Sequence, residues 1–527
     1  MALLGDLKAR YGVPKSPEAV LAETNEPGKS LKKSLGAFDL VSLGIGAIIG
    51  TGIFVLAGVG AQQAGPAIIL SFIVVGFACA LAGLCYAELA AAIPTSGSAY
   101  VYTYTALGEV VAWVLGWALV LEYAVGSVGV AIGWSGYAQG LLGDANPLPL
   151  ALRSGPFSGG IVNVPAVLIV LLVVAILVRG TKESARLASG LVILKVAVVA
   201  FVVVLGALLA FGKVGGGSPV AGNFGPNLTT SFAPFGFQGI IAGGALIFFA
   251  YIGFDAVSTT AEETRNPKRD LPIGILGSLA ICTVLYILAA TVLLGLVPYQ
   301  TFIDANTAPP GDPIRGALAE PFGYAFDAAG LPWAADIIRA GAIAGITSVL
   351  LVLILGAARV FFSLSRDGLV SPNLVTVHPR FGTPYKTTLA VGVSVAAAAA
   401  FVPLDRAAHI TNIGTLFAFV LVCISTLVLR RRRPDLNRPF KVPLYPAVPI
   451  LGAVTCAALA IFGLDRFTWT FFFAWMGLGL IVYALYGIRN SKVWKERLAL
   501  APTPGPAAAP GTGAGDVPRA AVVEEMR

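Results

Sequence analysis

The residues able to do chemistry in this 527-residue chain lie inside apolar runs. SLGIGAIIGTGIF, Ser42 to Phe54, carries Gly44, Gly46, Gly50 and Gly52, and ALIFFAYIGFDAVSTTAEE, Ala245 to Glu263, carries Gly253 and Asp255. LVILKVAVVAF holds Lys195 and LVLEYAV holds Glu122. The glycine string is not a dinucleotide loop: its spacing is GxGxxxG, and the preceding strand and following acid of that motif are missing. Two readings stay open. The Gly46/Gly50 pair fits GxxxG helix packing, and the string as a whole fits a helix that stops and restarts in mid-membrane. Such a break offers chemistry without charged side chains. A half-helix restarting near Thr51 presents N–H groups with partial positive charge, which suit a carboxylate. A half-helix ending near Phe249 and Ala250 leaves carbonyls that suit an ammonium, so one zwitterionic head group would satisfy both.

Charged side chains are the second resource. Lys195 lies about two turns into its span, roughly 12 Å from the start at 1.5 Å per residue, and either snorkels back to the interface or sits deep. Asp255 caps the restarting half-helix or, together with Glu122, lines a distal pocket and receives a cationic side chain, directly or through water. Glu122 fits equally well as a buried partner of Lys195. Ile346 either faces the side-chain pocket, where its bulk favours small substrates, or packs in the core. Glu88 and Arg359 fit an intracellular gate or interfacial salt bridges. No nucleophile with a base, metal set or cofactor motif is visible, so neither an enzyme nor a metal or cofactor site is expected. Cys79, Cys85, Cys282, Cys423 and Cys456 lack CxxC spacing and read as small core residues. His378 and His409 are isolated.

The elements that must position these residues are membrane spans. The chain is 57% hydrophobic and 12% charged, with a mean hydropathy of +0.84, whereas soluble chains are about a quarter charged. Apolar runs near 39–62, 66–93, 108–142, 163–179, 187–211, 237–262, 272–297, 333–364, 387–403, 409–429, 446–464 and 468–488 make twelve spans. With the N-terminus inside, the outer loops hold Arg153, Lys213, Arg315, Arg406 and Arg466, while Lys195 and Arg339 lie within spans. All other lysines and arginines fall on the cytoplasmic side, which sets both termini there. The net charge of +8 therefore reads as loop bias and not as a nucleic-acid surface. The run RRRRPDLNRPFK, Arg430 to Lys441, is expected at anionic headgroups. No cleavable signal peptide is expected before the first span.

Spans one and six are both interrupted, and the odd number between their starts means that the second group enters from the opposite face. The expected fold is an all-α integral membrane protein of the 5+5 inverted-repeat type, with discontinuous first and sixth helices plus two extra C-terminal helices. Its parts are a cytoplasmic segment 1–38, a first repeat 39–211, an inverted repeat 237–429, two extra spans 446–488 within a membrane domain ending near 490, and a largely disordered cytoplasmic tail 491–527.

From about Glu23 to Lys492 the chain resembles the amino acid/polyamine/organocation transporters, and within them the cationic amino acid transporter group. The resemblance is carried by SLKKSLGAFDLVSLGIGAIIGTGIFVLAG, CYAELAAAIPTSGSAYVYTYTALGE, GWALVLEY, FFAYIGFDAVSTTAEETRNPKRDLP, RVFFSLSRDGL and NRPFKVPLYP, in that order. It implies that backbone groups at Ile48, Thr51 and Gly52 take a substrate carboxylate and that carbonyls at Phe249, Ala250 and Ile252 take its amino group. It also implies that Lys195 replaces a bound sodium ion and couples transport to protons, with Thr347 and Ser348 at the positions of sodium ligands in sodium-coupled relatives. The expected activity is proton-coupled symport of amino acids into the cell across the plasma (inner) membrane, over a broad range that includes small neutral ones. A carrier or exchanger of arginine, lysine or ornithine and a non-transporting sensor are the alternatives, and a small membrane subunit is left open as a partner.

Overall fold

The computed structural model describes residues 14–18, 20, 33–95, 97–143, 148–179, 181–210, 232–371, 383–492 and 495. Most of the N-terminal segment, Lys213, His378 and nearly all of the tail lie outside the described residues. Among the described residues, eight helices are long and apolar enough to cross a membrane: Leu56–Ala92, Glu109–Leu142, Gly190–Ala210, Gly236–Glu263, Pro267–Leu296, Pro332–Arg366, Leu404–Arg432 and Arg466–Asn490. Four shorter apolar helices, Ala37–Ile48, Val164–Arg179, Tyr385–Phe401 and Ala447–Gly463, accompany them. Helices are the form such runs must take, because lipid offers no partner to an unpaired backbone group. Among the described residues the one β contact is an isolated bridge between Leu35 and Thr264.

Several observed helices overrun the apolar stretches at their charged ends. The helix expected over 409–429 spans Leu404–Arg432, and the one expected from 272 starts at Pro267. Apolarity marks only the part of a helix that sits in hydrocarbon, whereas helical hydrogen bonding continues into the headgroup zone. Arg430, Arg431 and Arg432 occupy the last turn of their helix, where positive charge suits the carbonyl end of the dipole.

The long helix Glu109–Leu142 packs against Pro332–Arg366 and Leu404–Arg432, while Pro267–Leu296 packs against Ile68–Ala92 and Ala37–Ile48. These contacts bury the interrupted segments at the centre of the bundle. Large apolar side chains such as Ile193, Val204, Phe462 and Phe473 remain on the outside, as a lipid-facing surface requires. The five cysteines are free and buried.

The arginine-rich run is engaged within the protein. Buried Glu88 accepts from Arg430 Nε at 2.7 Å and from Arg430 Nη2, accepts the Val442 N–H at 2.7 Å, and has Arg438 Nε at 3.4 Å. Arg432 donates to Ala106 O at 3.1 Å, and Arg433 pairs with Glu18 and Asp435. The guanidinium fork matches a carboxylate at two points, so Arg430 and Arg438 staple three segments together, while Arg431, Arg432 and Lys441 are exposed. At the same end of the bundle, the N–H groups of Ser34 and Leu35 donate to Glu263 O at 2.8 and 3.0 Å. This ties the entry of the first helix to the exit of the second broken one.

Candidate functional site

The first break lies where the glycine string places it. The helix Ala37–Ile48 ends, Ile49 and Gly50 are non-helical, and helix resumes at Thr51–Phe54, then passes a turn at Val55 into Leu56–Ala64. An ended helix leaves carbonyls without partners, and other helices supply them here. Lys195 Nζ donates to Gly46 O, to Ile49 O at 2.9 Å and to Ser348 Oγ at 2.9 Å. Tyr286 contributes its hydroxyl 2.9 Å from Ile48 O. Lys195 is fully buried, so it does not snorkel, and its three acceptors match the three N–H donors of an ammonium. None of them belongs to a carboxylate, so Glu122 is not its partner.

The second break combines a short 3-10 stretch with an extended turn. After Gly236–Ile247 come the 3-10 residues Phe248–Tyr251, an extended Ile252, Gly253 at φ +117° and the 3-10 segment Asp255–Glu263. The two breaks press on each other. A Cβ on Gly253 would lie 2.8 Å from the Ala47 carbonyl, and one on Gly52 would run into the Ala250 backbone. Gly253 adopts a dihedral that L side chains rarely take, and at both positions the missing side chain lets backbone meet backbone. Asn412 Nδ2 donates to Ala245 O at 2.6 Å and Leu246 O at 3.0 Å, Ile252 N donates to Phe249 O at 3.3 Å, and Ala250 O has the Tyr286 hydroxyl at 2.9 Å.

Between the breaks lies a cavity lined by Ile48, Gly50, Thr51, Gly52, Phe249 and Ile252, with Gly126, Val130, Val349 and Leu353 opposite. It has room for about one water molecule. The Thr51 hydroxyl donates to Val130 O at 3.3 Å. Ala250 lies behind the lining, packed on Gly52. Glu122, Asp255 and Ile346 are buried away from the cavity. Neither carboxylate oxygen of Glu122 has a hydrogen-bond partner, and Asp255 accepts from the Tyr123 hydroxyl at 2.7 Å through one oxygen only. Asp255 is not a cap, since Phe254 holds the N-cap position without a side-chain bond. Ile346 sits one turn from Val349, which with Leu353 presents the same helix stripe to the cavity. Of the two residues after it, Ser348 joins the Lys195 cluster, whereas Thr347 accepts from Trp134 Nε1 at 3.0 Å.

Sequence reasoning missed Tyr286, Asn412, Val130, Val349 and Leu353. The first two carry a signal that was available: a phenol or amide inside an apolar span needs a buried partner. Arg359 is half-buried, with Glu263 and Glu262 as charged neighbours.

A second ionic cluster stands at the other end of the bundle. Arg339 forks onto Glu320, with Nε at 2.5 Å and Nη2 at 2.9 Å, and reaches Asp327 at 2.5 Å. Burial pushes the Glu320 carboxyl up to about 7, while the Arg339 guanidinium pulls the other way. The adjoining helix Pro321–Ala328 sets Phe322 edge-on to Phe54, with ring centroids 6.4 Å apart.

Comparison with known proteins identifies the family. The family described as amino acid permease matches residues 35–485. The methylthioribose transporter of Bacillus subtilis is 43% identical over 467 residues, 88% of this chain and 95% of that protein. The branched-chain amino acid permease of the same organism is 43% identical over 484 residues, 91% and 98% of the two chains. The vacuolar cationic amino acid transporter 4 of Arabidopsis thaliana is 39% identical over 424 residues, 80% and 67%. Two broken helices meeting at the centre of an apolar bundle thus sit in a multi-pass membrane protein, and the chain belongs to the amino acid permease family of the amino acid/polyamine/organocation superfamily.

Proposed function

We propose that this protein is a secondary active transporter that imports amino acids by proton-coupled symport with alternating access. One observation carries the reading: the Lys195 ammonium ties the end of the first half-helix to Ser348, making the contacts that a bound cation would make. Loss of its proton would remove one of three donors and loosen the tie between Ala37–Ile48 and Pro332–Arg366. Protonation would thereby bias the two access states. In this reading sodium has no seat of its own, and no cofactor or catalytic step is involved. The described helices fit twelve spans arranged as two inverted repeats of five plus two more. The sidedness of the lysines and arginines favours both termini in the cytoplasm and the plasma (inner) membrane as the location.

The head-group site is the gap between the breaks. N–H groups at Thr51 and Gly52, beside Ile48, meet the carboxylate, and carbonyls at Phe249, Ala250 and Ile252 meet the ammonium. The lining beyond is apolar, with Val130, Val349, Leu353 and Ile252, which favours small neutral and aliphatic side chains. One relative named as a branched-chain amino acid permease fits that preference. A cationic side chain would instead have to reach Glu122 and Asp255, whose unpartnered oxygens are the observation favouring that second reading.

Purified full-length protein screened for thermal stabilisation by all amino acids and by methylthioribose at two pH values tests the substrate. A ligand at a hundred times its Kd stabilises by about 2.7 kcal/mol. Uptake into liposomes under an imposed pH gradient, with and without sodium, tests the coupling. Stabilisation by basic amino acids alone would overturn the neutral preference, and stabilisation by methylthioribose alone would overturn the head-group site. Uptake only into preloaded liposomes would indicate an exchanger, and binding without uptake a sensor.

A further inference from the structure

Tyr286 faces two acceptors with one proton. Its hydroxyl is 2.9 Å from Ile48 O, at the end of the first half-helix, and 2.9 Å from Ala250 O, in the second break. No backbone N–H of the described residues donates to either carbonyl. A phenol has a single O–H, so at any instant one of these buried carbonyls lacks a donor, a state that carries a desolvation penalty. The ring has no freedom to choose between them. Tyr286 is fully buried, with Phe72 and Tyr251 rings at centroid distances of 5.7 and 5.4 Å, so only the hydroxyl hydrogen can turn.

We infer that Tyr286 is a positioning residue through which the protein senses a primary ammonium: the ligand takes over Ala250 O and Tyr286 gives its proton wholly to Ile48 O. This deepens the transport reading and rests on it. An ammonium brings three donors and supplies the one that is missing. The released hydroxyl then fastens the end of the first half-helix to Pro267–Leu296. A compound with no hydrogen-bond donor at the amine position cannot trigger this transfer, because nothing in it relieves Tyr286 of Ala250. Selection for a donor at the amine position therefore arises from a deficit of one hydrogen in the empty site, with no charged side chain involved.

Tyr286→Phe keeps the ring and removes the hydroxyl. The test uses full-length protein in liposomes, with L-alanine or L-leucine as probe, whichever stabilises the wild type more, and propionate as the donor-free counterpart of alanine. In the variant Ala250 O is uncontested, so the probe's Kd is expected to stay level or tighten. The maximal uptake rate is expected to fall about tenfold, the effect of losing one buried hydrogen bond in the loaded state. Tyr483→Phe, which removes a buried hydroxyl bonded to Glu109 Oε1 at 2.8 Å away from both breaks, should change neither value by more than about twofold. Unchanged rate and Kd in Tyr286→Phe, a parallel loss of both, the same split in Tyr483→Phe, or propionate stabilising the wild type as well as alanine does would each overturn the inference. Failure of the wild type to bind either amino acid would remove the transport reading first, and is distinct from all of these.

Discussion

Gly52→Ala is the sharpest perturbation of the site. The added Cβ would lie 2.9 Å from Ala250 N and 2.5 Å from Ala250 Cβ, and nearer still to Ala250 Cα. Ordinary carbon contacts begin near about 3.5 Å, so the two breaks would have to part by roughly an ångström. Neither side is the free end of a flexible chain, which leaves backbone movement as the only relief. Overpacking of this kind costs about 1–3 kcal/mol. If that cost falls on the geometry that holds a ligand, it corresponds to an about five- to hundredfold weaker Kd. Gly46→Ala is the control, since its Cβ would meet a methyl of Val192 at 2.6 Å whose own Cβ stands 4.0 Å away. That clash is with a side chain from another helix and leaves the breaks in register. Thermal melting of both variants, with and without L-alanine, and L-alanine uptake into liposomes read the difference. Gly52→Ala should stay folded and lose ligand stabilisation and uptake, while Gly46→Ala should mainly lower the melting temperature. Wild-type binding by Gly52→Ala, or an equally deep loss of binding in Gly46→Ala, would refute the reasoning.

Lys195→Met fills the same space but leaves Gly46 O, Ile49 O and Ser348 Oγ without their donor. Uptake should fall at least about tenfold and lose its response to a pH gradient, and a strict sodium requirement in the wild type would contradict the coupling assigned to this residue. Glu88→Gln leaves Arg430 and Arg438 facing a neutral group in a buried setting and should destabilise the protein by about 3 kcal/mol, read as a lower denaturation midpoint, with no loss meaning that the staple is idle. Glu320 has a carboxyl raised from 4.5 to about 7 by burial, so the folded state holds its proton more tightly than the unfolded chain. Its contribution to stability is present below about 4.5 and is lost as pH rises through about 7. The melting temperature of the wild type relative to Glu320→Gln should fall across that window, and a rise would reverse the assignment.

Much of the architecture was legible because lipid allows few solutions. An apolar run must be a helix, and helices at 109–142, 164–179 and 447–463 lie within a residue or so of where apolarity alone put them. The break at Gly50 and the break around Gly253 were legible for a related reason: a glycine string or an acid inside such a run is costly unless the backbone departs from helix there. Helix ends were less legible, since the chain stays helical through charged turns such as Arg430 to Arg432 that hydropathy assigns to loops.

The sequence by itself determined the class of molecule, the order of its apolar segments and the two places where helix fails, because each follows from the free energy of placing a residue in hydrocarbon. The tertiary structure alone decided which groups complete one another. That Lys195 meets carbonyls and Ser348 but no carboxylate, that Tyr286 faces both breaks, and that Asn412 serves Ala245 and Leu246 all depend on how helices are rotated about their axes. Rotation is set by side-chain packing between segments far apart in the chain. A turn of about 100° per residue moves a group from cavity to core without changing the hydropathy of the run that contains it.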